Sequence, residues 1–161
     1  MPPTTAQPIR VYADTSVYGG VFDEEFAVPS RVFFDRVREG RFRLVMSAVV
    51  LNEIRSAPKQ VRDLLDKMLG LAEIVNVTDE TLVLQQAYLD NGILTPKSAD
   101  DALHVALATT GGCGMIVSWN FRHIVHYQKV PLYNAVNVLH RYAALEIRSP
   151  SEVIENEDEN L

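Results

Sequence analysis

Residues 9–16 read IRVYADTS, an apolar and β-branched run that stops at the carboxylate of Asp14. A short run of this kind, bounded by polar residues, predicts a β-strand over residues 9–13. Similar runs predict strands over residues 42–46, 74–77, 115–119 and 145–147. Stretches with helical spacing lie between the runs, at residues 29–39, 48–56, 60–69, 80–91, 99–110 and 132–143. This alternation predicts an α/β fold, a three-layer α/β/α sandwich with a mainly parallel central sheet.

The composition indicates one globular domain. The chain has 161 residues, of which 47% are apolar, and this is enough for a substantial core. Its formal net charge of −6 excludes the global positive charge of a nucleic-acid coat protein. Its one cysteine, Cys113, excludes an intramolecular disulfide and favours a reducing compartment. No apolar run reaches the roughly 18 residues of a membrane helix, and the amino terminus lacks a signal sequence, so we expect a cytoplasmic protein without a membrane partner.

Two segments are unusual in charge. The end of the chain, ENEDENL, carries acids and no base, so we predict a single domain over residues 1–154 and a solvated acidic tail over residues 155–161. Residues 31–43, in contrast, are rich in arginine. The arginines are Arg31, Arg36, Arg38, Arg41 and Arg43. This segment is either a solvated helix face or a rim that contacts nucleic-acid phosphates.

Polar side chains occur where the predicted strands end. Asp14 closes the first strand, and Asn120 ends the fourth. Glu53 lies about two turns into the helix after the second strand, and Asp101 lies in the first turn of a late helix. Ligand sites of parallel sheets lie at the carboxyl ends of the strands. We therefore expect the three carboxylates to approach one cation, with Asn120 at the rim.

The surroundings of these acids argue against a purely structural role. Taken singly, each acid could cap a helix or lie on the surface. However, Glu53 lies among apolar residues on a short helix, and Asp101 begins the run ALHVALA. Ser98 and Asp101 have the spacing of a capping box, which places Asp100 and Asp101 in the first turn. Acids embedded in apolar helices must be paired or must bind a metal ion.

The ligand type indicates which metal and which reaction to expect. Converging carboxylates without a matching basic residue repel one another unless a divalent cation binds them. Oxygen ligands select Mg²⁺ or Mn²⁺ over zinc. Such an ion can bind a phosphate oxygen and activate water, which is the chemistry of phosphodiester hydrolysis.

Four motifs follow one another along the chain, namely DTSV at residues 14–17, EIR at 53–55, DALHVALA at 101–108 and VSWNFRHI at 117–124. In this order they resemble the PIN-domain ribonucleases, and most closely the VapC-type toxins of toxin-antitoxin pairs. The resemblance extends over residues 11–150. It implies an endoribonuclease with an acidic Mg²⁺ site, in which Mn²⁺ can substitute, and a cytoplasmic homodimer that is neutralised by a cognate antitoxin.

Residue by residue, the resemblance assigns Asp14, Glu53 and Asp101 as the catalytic and metal-binding acids. The fourth family position is usually aspartate and is Asn120 here, which disfavours a second metal ion and makes two-metal catalysis doubtful. Asp100 is an extra acid that points about 100° away from Asp101, so it acts through water or caps the helix. The alternative is a PIN-fold module that binds RNA or a partner protein, with weak or lost catalysis.

Other residues near these motifs have simpler interpretations. A haloacid-dehalogenase phosphatase needs a second aspartate two residues after Asp14, where Ser16 stands; Ser16 is expected to orient the Asp14 carboxylate. The histidines His104, His123 and His126 lack the spacing of a zinc site, so we expect core or surface histidines, with His123 able to reach a phosphate. Trp119 and Phe121 flank Asn120, and strand alternation predicts that both pack in the core.

Overall fold

The computed structural model describes the backbone of residues 7–159 and the side chains of residues 7–155. Five parallel strands form one sheet in the order β3-β2-β1-β4-β5. The strands are β1 (Ile9–Ala13), β2 (Phe42–Ser47), β3 (Glu73–Val75), β4 (Met115–Val117) and β5 (Glu146–Arg148). The sheet is entirely parallel, and the predicted α/β sandwich is confirmed.

Eight α-helices accompany the sheet within residues 7–159. They are α1 (Thr15–Gly20), α2 (Ala27–Arg38), α3 (Ala48–Ile54), α4 (Lys59–Leu69), α5 (Asp79–Asp90), α6 (Ala99–Thr110), α7 (Lys129–Leu139) and α8 (Pro150–Glu159). One group comprises α1, α2, α3, α4 and α8, which pack against one another, and a second comprises α5, α6 and α7. The helices α1 and α8 and a 3-10 turn at Pro96–Ser98 were not predicted from the sequence.

Strand β1 lies at the centre of the sheet and is covered on both faces. Val11, Tyr12 and Ala13 have no exposed surface. Strands that are buried on both faces read as continuous apolar runs, which explains why the sequence of this strand is so clear. The strand leads directly into Asp14, whose backbone N–H donates to the carbonyl of Val117 at 3.2 Å. Asp14 therefore follows the end of the central strand.

Two strands end earlier than predicted because their neighbours end. Strand β3 pairs with β2, and the register stops where Ser47 faces Val75. Strand β4 stops at Val117, after which the backbone N–H of Trp119 donates to the side chain of Ser16 rather than to a strand. Residues 118–120 therefore form a loop at the carboxyl edge of the sheet.

The carboxyl-terminal part of the chain is helical further than expected. Helix α8 continues through Glu155, which is exposed, to Glu159. The other acidic side chains of the predicted tail, at residues 157–159, lie outside the described residues. None of the helices in the described part of the chain is long and apolar enough to cross a membrane.

Candidate active site

Asp14 is a buried carboxylate at the carboxyl edge of the sheet, with 4% of its surface exposed. One of its oxygens, Oδ1, accepts from the backbone N–H of Ser16 at 3.1 Å and from its hydroxyl at 2.6 Å. The other, Oδ2, accepts from the hydroxyl of Ser118 at 2.6 Å. Asp14 is thus the N-cap of α1, but its burial exceeds what a surface cap requires. The expected orienting role of Ser16 agrees with this geometry.

The groups that face Asp14 are mainly neutral donors. Burial raises the pKa of Asp14, while the charge of His104 and the hydrogen bonds from Ser118 and Ser16 oppose that rise. Among the described residues, no lysine or arginine forms an ion pair with Asp14. The site therefore holds an acid that a cation would stabilise in its ionised form.

His104 lies at the centre of the polar groups and is 3% exposed. Its Nε2 lies 2.6 Å from Oε1 of Glu53, and its Nδ1 lies 2.8 Å from the hydroxyl of Tyr12. Burial lowers the pKa of His104, but the hydrogen bond with Glu53 raises it, with a net rise. The negative charges of Asp14 and Asp101 act in the same direction. All three candidate acids therefore act on one buried imidazole.

The structure corrects two expectations about Glu53. Its side chain is 36% exposed, because the short helix α3 buries only Val50 and Ile54. The expectation that the acids lack a basic partner was also wrong, since His104 is hydrogen-bonded to Glu53. Burial raises the pKa of Glu53, but the hydrogen bond and the charge of His104 bring it below its ordinary value. His104 is thus the expected core histidine, with a specific acidic partner.

Asp101 lies in the first turn of α6 and is partly exposed, whereas Asp100 is fully on the exposed face. The side chain of Asp101 makes no hydrogen bond or ion pair within the described residues. The capping box predicted at Ser98 is absent, because a 3-10 turn precedes α6 and the Ser98 hydroxyl instead lies 3.4 Å from Nε2 of His123. Asp101 therefore has a carboxylate that no neighbouring donor occupies.

Asn120 is held inside its own loop. The side-chain oxygen of Asn120 accepts from the backbone N–H of His123 at 2.9 Å. The backbone N–H of Asn120 donates to the Ser118 hydroxyl at 2.9 Å. Because Ser118 also donates to Asp14, the loop after β4 is linked to the buried acid. Ser118 was not predicted from the sequence, because the predicted strand over residues 115–119 placed it inside the strand, whereas β4 ends at Val117.

The aromatic neighbours of Asn120 differ from each other. Trp119 is buried, stacks on Phe26 with ring centroids 4.2 Å apart, and donates from Nε1 to the hydroxyl of Ser30 at 2.8 Å. Phe121 is 48% exposed, so its predicted core position was wrong. Strand alternation does not apply to it, because β4 has already ended at Val117.

The arginine-rich segment does not gather around Asp14. Arg41 and Arg43 lie at the start of β2, where Arg43 pairs in register with Arg10 on β1. Asp14 is four residues further along the strand direction, about 13 Å away at roughly 3.3 Å per residue. Arg36 and Arg38 end α2 next to the start of β2, so they share that distant edge. Of the five arginines, only Arg31 lies in the amino-terminal half of α2, where it lines a surface groove with Asp35 and Arg38.

The donor set fits a hard divalent cation in type. Asp14 and Asp101 offer carboxylate oxygens, and Glu53 retains Oε2, since its hydrogen bond to His104 uses Oε1. Within residues 7–155 there is, however, no group of three or more carboxylate, imidazole or thiol side chains arranged to hold a metal ion. The three-carboxylate metal site thus stays a prediction.

Solved structures identify the architecture. A chain in the crystal structure of VapBC2 from Rickettsia felis, bound to a DNA fragment from their promoter, superposes with a TM-score of 0.58 at 13% identity, over 88% of this chain and 98% of that one. A chain of FitAcB from Neisseria gonorrhoeae superposes with a TM-score of 0.51 at 14% identity, over 69% of this chain and 88% of that one. The chain has a PIN-like fold. No protein-family model and no curated protein sequence matches it. In this PIN-like fold, the loop after β1 and the starts of α3 and α6 meet at the carboxyl edge of the sheet.

Proposed function

We propose that the protein is a cytoplasmic, metal-dependent endoribonuclease that hydrolyses RNA phosphodiester bonds and acts as the toxin of a toxin-antitoxin pair. The observation that carries this proposal is the buried carboxylate of Asp14, which hydroxyl donors orient at the carboxyl edge of a PIN-like fold. Glu53 and Asp101 act on the same imidazole as Asp14, and this supports a shared site.

Asp14 and Asp101 would hold a Mg²⁺ or Mn²⁺ ion, with Glu53 contributing Oε2. When bound, the ion would polarise a phosphate oxygen of RNA and lower the pKa of water. Ser16 and Ser118 hold both oxygens of Asp14 and favour its ionised form against the cost of burial. Asn120 orders the loop after β4 through His123 and Ser118.

The proposed partners rest on the likeness to VapBC2. VapBC2 was solved as a complex bound to a fragment of promoter DNA. By analogy we expect this chain to have a cognate antitoxin and to form a homodimer. RNA is the proposed substrate, and Arg31, in the amino-terminal half of α2, is the arginine proposed to contact it. Arg41 and Arg43 are better candidates for the solvated face, because they lie at the opposite edge of the sheet.

The test is a titration of Mg²⁺ in a cleavage assay on mixed RNA with the wild type, Asp14→Asn and a control, Asp35→Asn. Asp35 is an exposed acid on α2 that pairs with Arg38 at 3.0 Å. We expect Asp14→Asn to lose at least about 100-fold in rate, as for other removed catalytic groups, and Asp35→Asn to remain at the wild-type rate. Asn keeps the cap but removes a buried charge, so the melting temperature in chelator should be equal or slightly higher. A large loss of stability in chelator would instead make Asp14 a structural cap.

The binding module is the second candidate, and Asn120 favours it because an amide replaces the usual acid. Its signature would be RNA binding without metal-dependent cleavage in the wild type, with cleavage restored by Asn120→Asp.

A further inference from the structure

We propose that His104 is a positioning residue, which acts through Glu53 to fix the three acids relative to one another. The inference rests on the proposed function and adds a residue to that site. Its basis is one chain of hydrogen bonds, buried except at Glu53, that starts and ends on helix α3.

This chain of hydrogen bonds contains residues of β1, α3 and α6, the elements that carry or adjoin the candidate acids. The backbone N–H of Val50 donates to the Ser47 hydroxyl at 3.4 Å, and that hydroxyl lies 2.8 Å from the hydroxyl of Tyr12 on β1. Tyr12 contacts His104 on α6, and His104 returns to Glu53 on α3. Asp14 follows β1 directly, and Asp101 lies three residues before His104. These hydrogen bonds therefore link β1, α3 and α6 to one another next to the candidate acids.

One direction of donation satisfies every member. In the neutral form of His104, the Ser47 hydroxyl can donate to Tyr12, Tyr12 can donate to Nδ1, and Nε2–H can donate to the Glu53 carboxylate. The Ser47 oxygen in turn accepts from Val50, so the chain begins at a backbone donor and ends at a carboxylate. A fully satisfied buried network of this kind specifies one arrangement of its elements.

Glu53 needs such a partner because its own helix does not restrain it. Its side chain is 36% exposed, and an exposed glutamate samples many rotamers. The contact with His104 fixes Oε1 at 2.6 Å and leaves Oε2 for a ligand. Groups that orient ligating side chains in this way typically change metal affinity by 10- to 100-fold when they are removed.

The experiment measures Mn²⁺ binding by the full-length protein with electron paramagnetic resonance, independently of catalysis. His104→Asn keeps a polar group near Tyr12 but withdraws the donor to Glu53, whereas His104→Gln keeps an N–H near the position of Nε2. We expect His104→Asn to weaken Mn²⁺ binding about 10- to 100-fold and His104→Gln to restore most of it. The matched control is His140→Asn, at an exposed histidine that ends α7, and its affinity should equal that of the wild type.

A double-mutant cycle shows whether His104 acts through Glu53. In a Glu53→Gln background, His104→Asn should leave Mn²⁺ affinity unchanged. Tyr12→Phe removes a single hydroxyl from the chain and should weaken Mn²⁺ binding less than His104→Asn, which keeps the test decisive if His104→Asn does not fold. Melting in chelator identifies any variant that is simply unfolded.

Three outcomes overturn the inference. The first is wild-type affinity in both His104→Asn and Tyr12→Phe, and the second is an equal loss in the Glu53→Gln background. The third is a wild type that binds no Mn²⁺, which also overturns the proposed function. A wild type that binds Mn²⁺ with the expected dependence on His104 but cleaves no RNA would refute the proposed function alone.

Discussion

The charged side chains at the two edges of the sheet, the amino edge where the strands begin and the carboxyl edge where they end, have different partners. At the amino edge, Arg10 on β1 donates to both oxygens of Glu73 at 3.1 and 2.7 Å and to the carbonyl of Gly111 at 2.7 Å. At the carboxyl edge, Asp14 accepts from hydroxyls and from a backbone N–H, and no arginine or lysine within the described residues pairs with it.

This difference separates a structural edge from a candidate functional one. Opposite charges that pair at the amino edge leave little field for a ligand. At the carboxyl edge, the negative charges of three carboxylates act on a single imidazole, which leaves an excess of negative charge there. Substitutions and labelling at each edge test this contrast.

The reactivity of the Cys113 thiol tests whether the amino edge of the sheet is closed to solvent. It is buried in the turn before β4, and burial raises the pKa of its thiol to about 11. Because the thiolate is the reactive form, alkylation at pH 8 should be about 100-fold or more slower than that of an unfolded cysteine, and should accelerate as the pH rises toward that pKa. Iodoacetamide labelling with and without urea measures this. Rapid labelling of the folded protein would show that the amino edge is open.

Gly20 tests the packing behind the carboxyl edge. A Cβ at Gly20 would lie 2.6 Å from the Ser30 hydroxyl and 2.7 Å from Nε1 of Trp119, whereas a Cβ at Gly19 would meet nothing within 4 Å. Gly20→Ala should therefore lower the free energy of unfolding by about 1–3 kcal/mol. Gly19→Ala should be neutral or stabilising by up to about 1 kcal/mol. Urea denaturation compares the two variants, and equal stabilities would contradict the packing.

Arg10 tests whether the amino edge serves stability alone. Arg10→Met removes the paired contact with Glu73 and should cost about 1 kcal/mol, since the pair is partly exposed to solvent. Arg43→Met is the matched control, because Arg43 approaches Glu73 only to 3.7 Å, and its cost should be smaller. Both variants should cleave RNA at the wild-type rate. For each variant, the loss of stability should be the same in chelator as in Mg²⁺. A selective loss of cleavage would show that the two edges are coupled.

A substitution of Asn120 tests how the negative charge at the carboxyl edge affects metal binding. An aspartate keeps the acceptor for the N–H of His123 and adds one negative charge. With three acids and one amide, we expect wild-type activity to rise with Mg²⁺ as a single weak binding step, with Mn²⁺ effective at lower concentration. Asn120→Asp should lower the Mg²⁺ concentration needed for cleavage a few-fold. In binding titrations it should also raise the affinity for a second Mn²⁺ ion. No change in affinity or rate would remove Asn120 from the site.

Some features could be predicted because their signals are local. The central strand β1 is buried on both faces, so its apolar run matches its observed bounds, Ile9–Ala13. Helix α8 was missed although a local signal was present. Ser149 and Glu152 satisfy each other's backbone N–H groups in a capping box, with Pro150 at the first helical position. Helix α1 gave no comparable signal, because its residues TSVYGG have low helix propensity.

Other boundaries depended on neighbouring elements or on unusual backbone. Helix α7 was predicted to reach residue 143 but ends at Leu139, because Arg141 adopts a φ of 69°, which no helix accommodates. Strand β3 stops at Val75, because β2 ends opposite it at Ser47. Neither position can be read from the hydrophobic pattern.

The alternation of strands and helices and the position of Asp14 after the central strand could be predicted, because apolar periodicity and chain direction are local properties. Which side chains meet depends on the tertiary fold. In the folded protein, His104 contacts Glu53, and Tyr12 and Ser47 extend the same chain of hydrogen bonds. Most of the arginines of residues 31–43 lie at the amino edge of the sheet. These contacts join residues as much as 92 positions apart, such as Tyr12 and His104, and they arise from the order in which the strands pair. No periodicity along the chain encodes that order, so only the folded protein shows it.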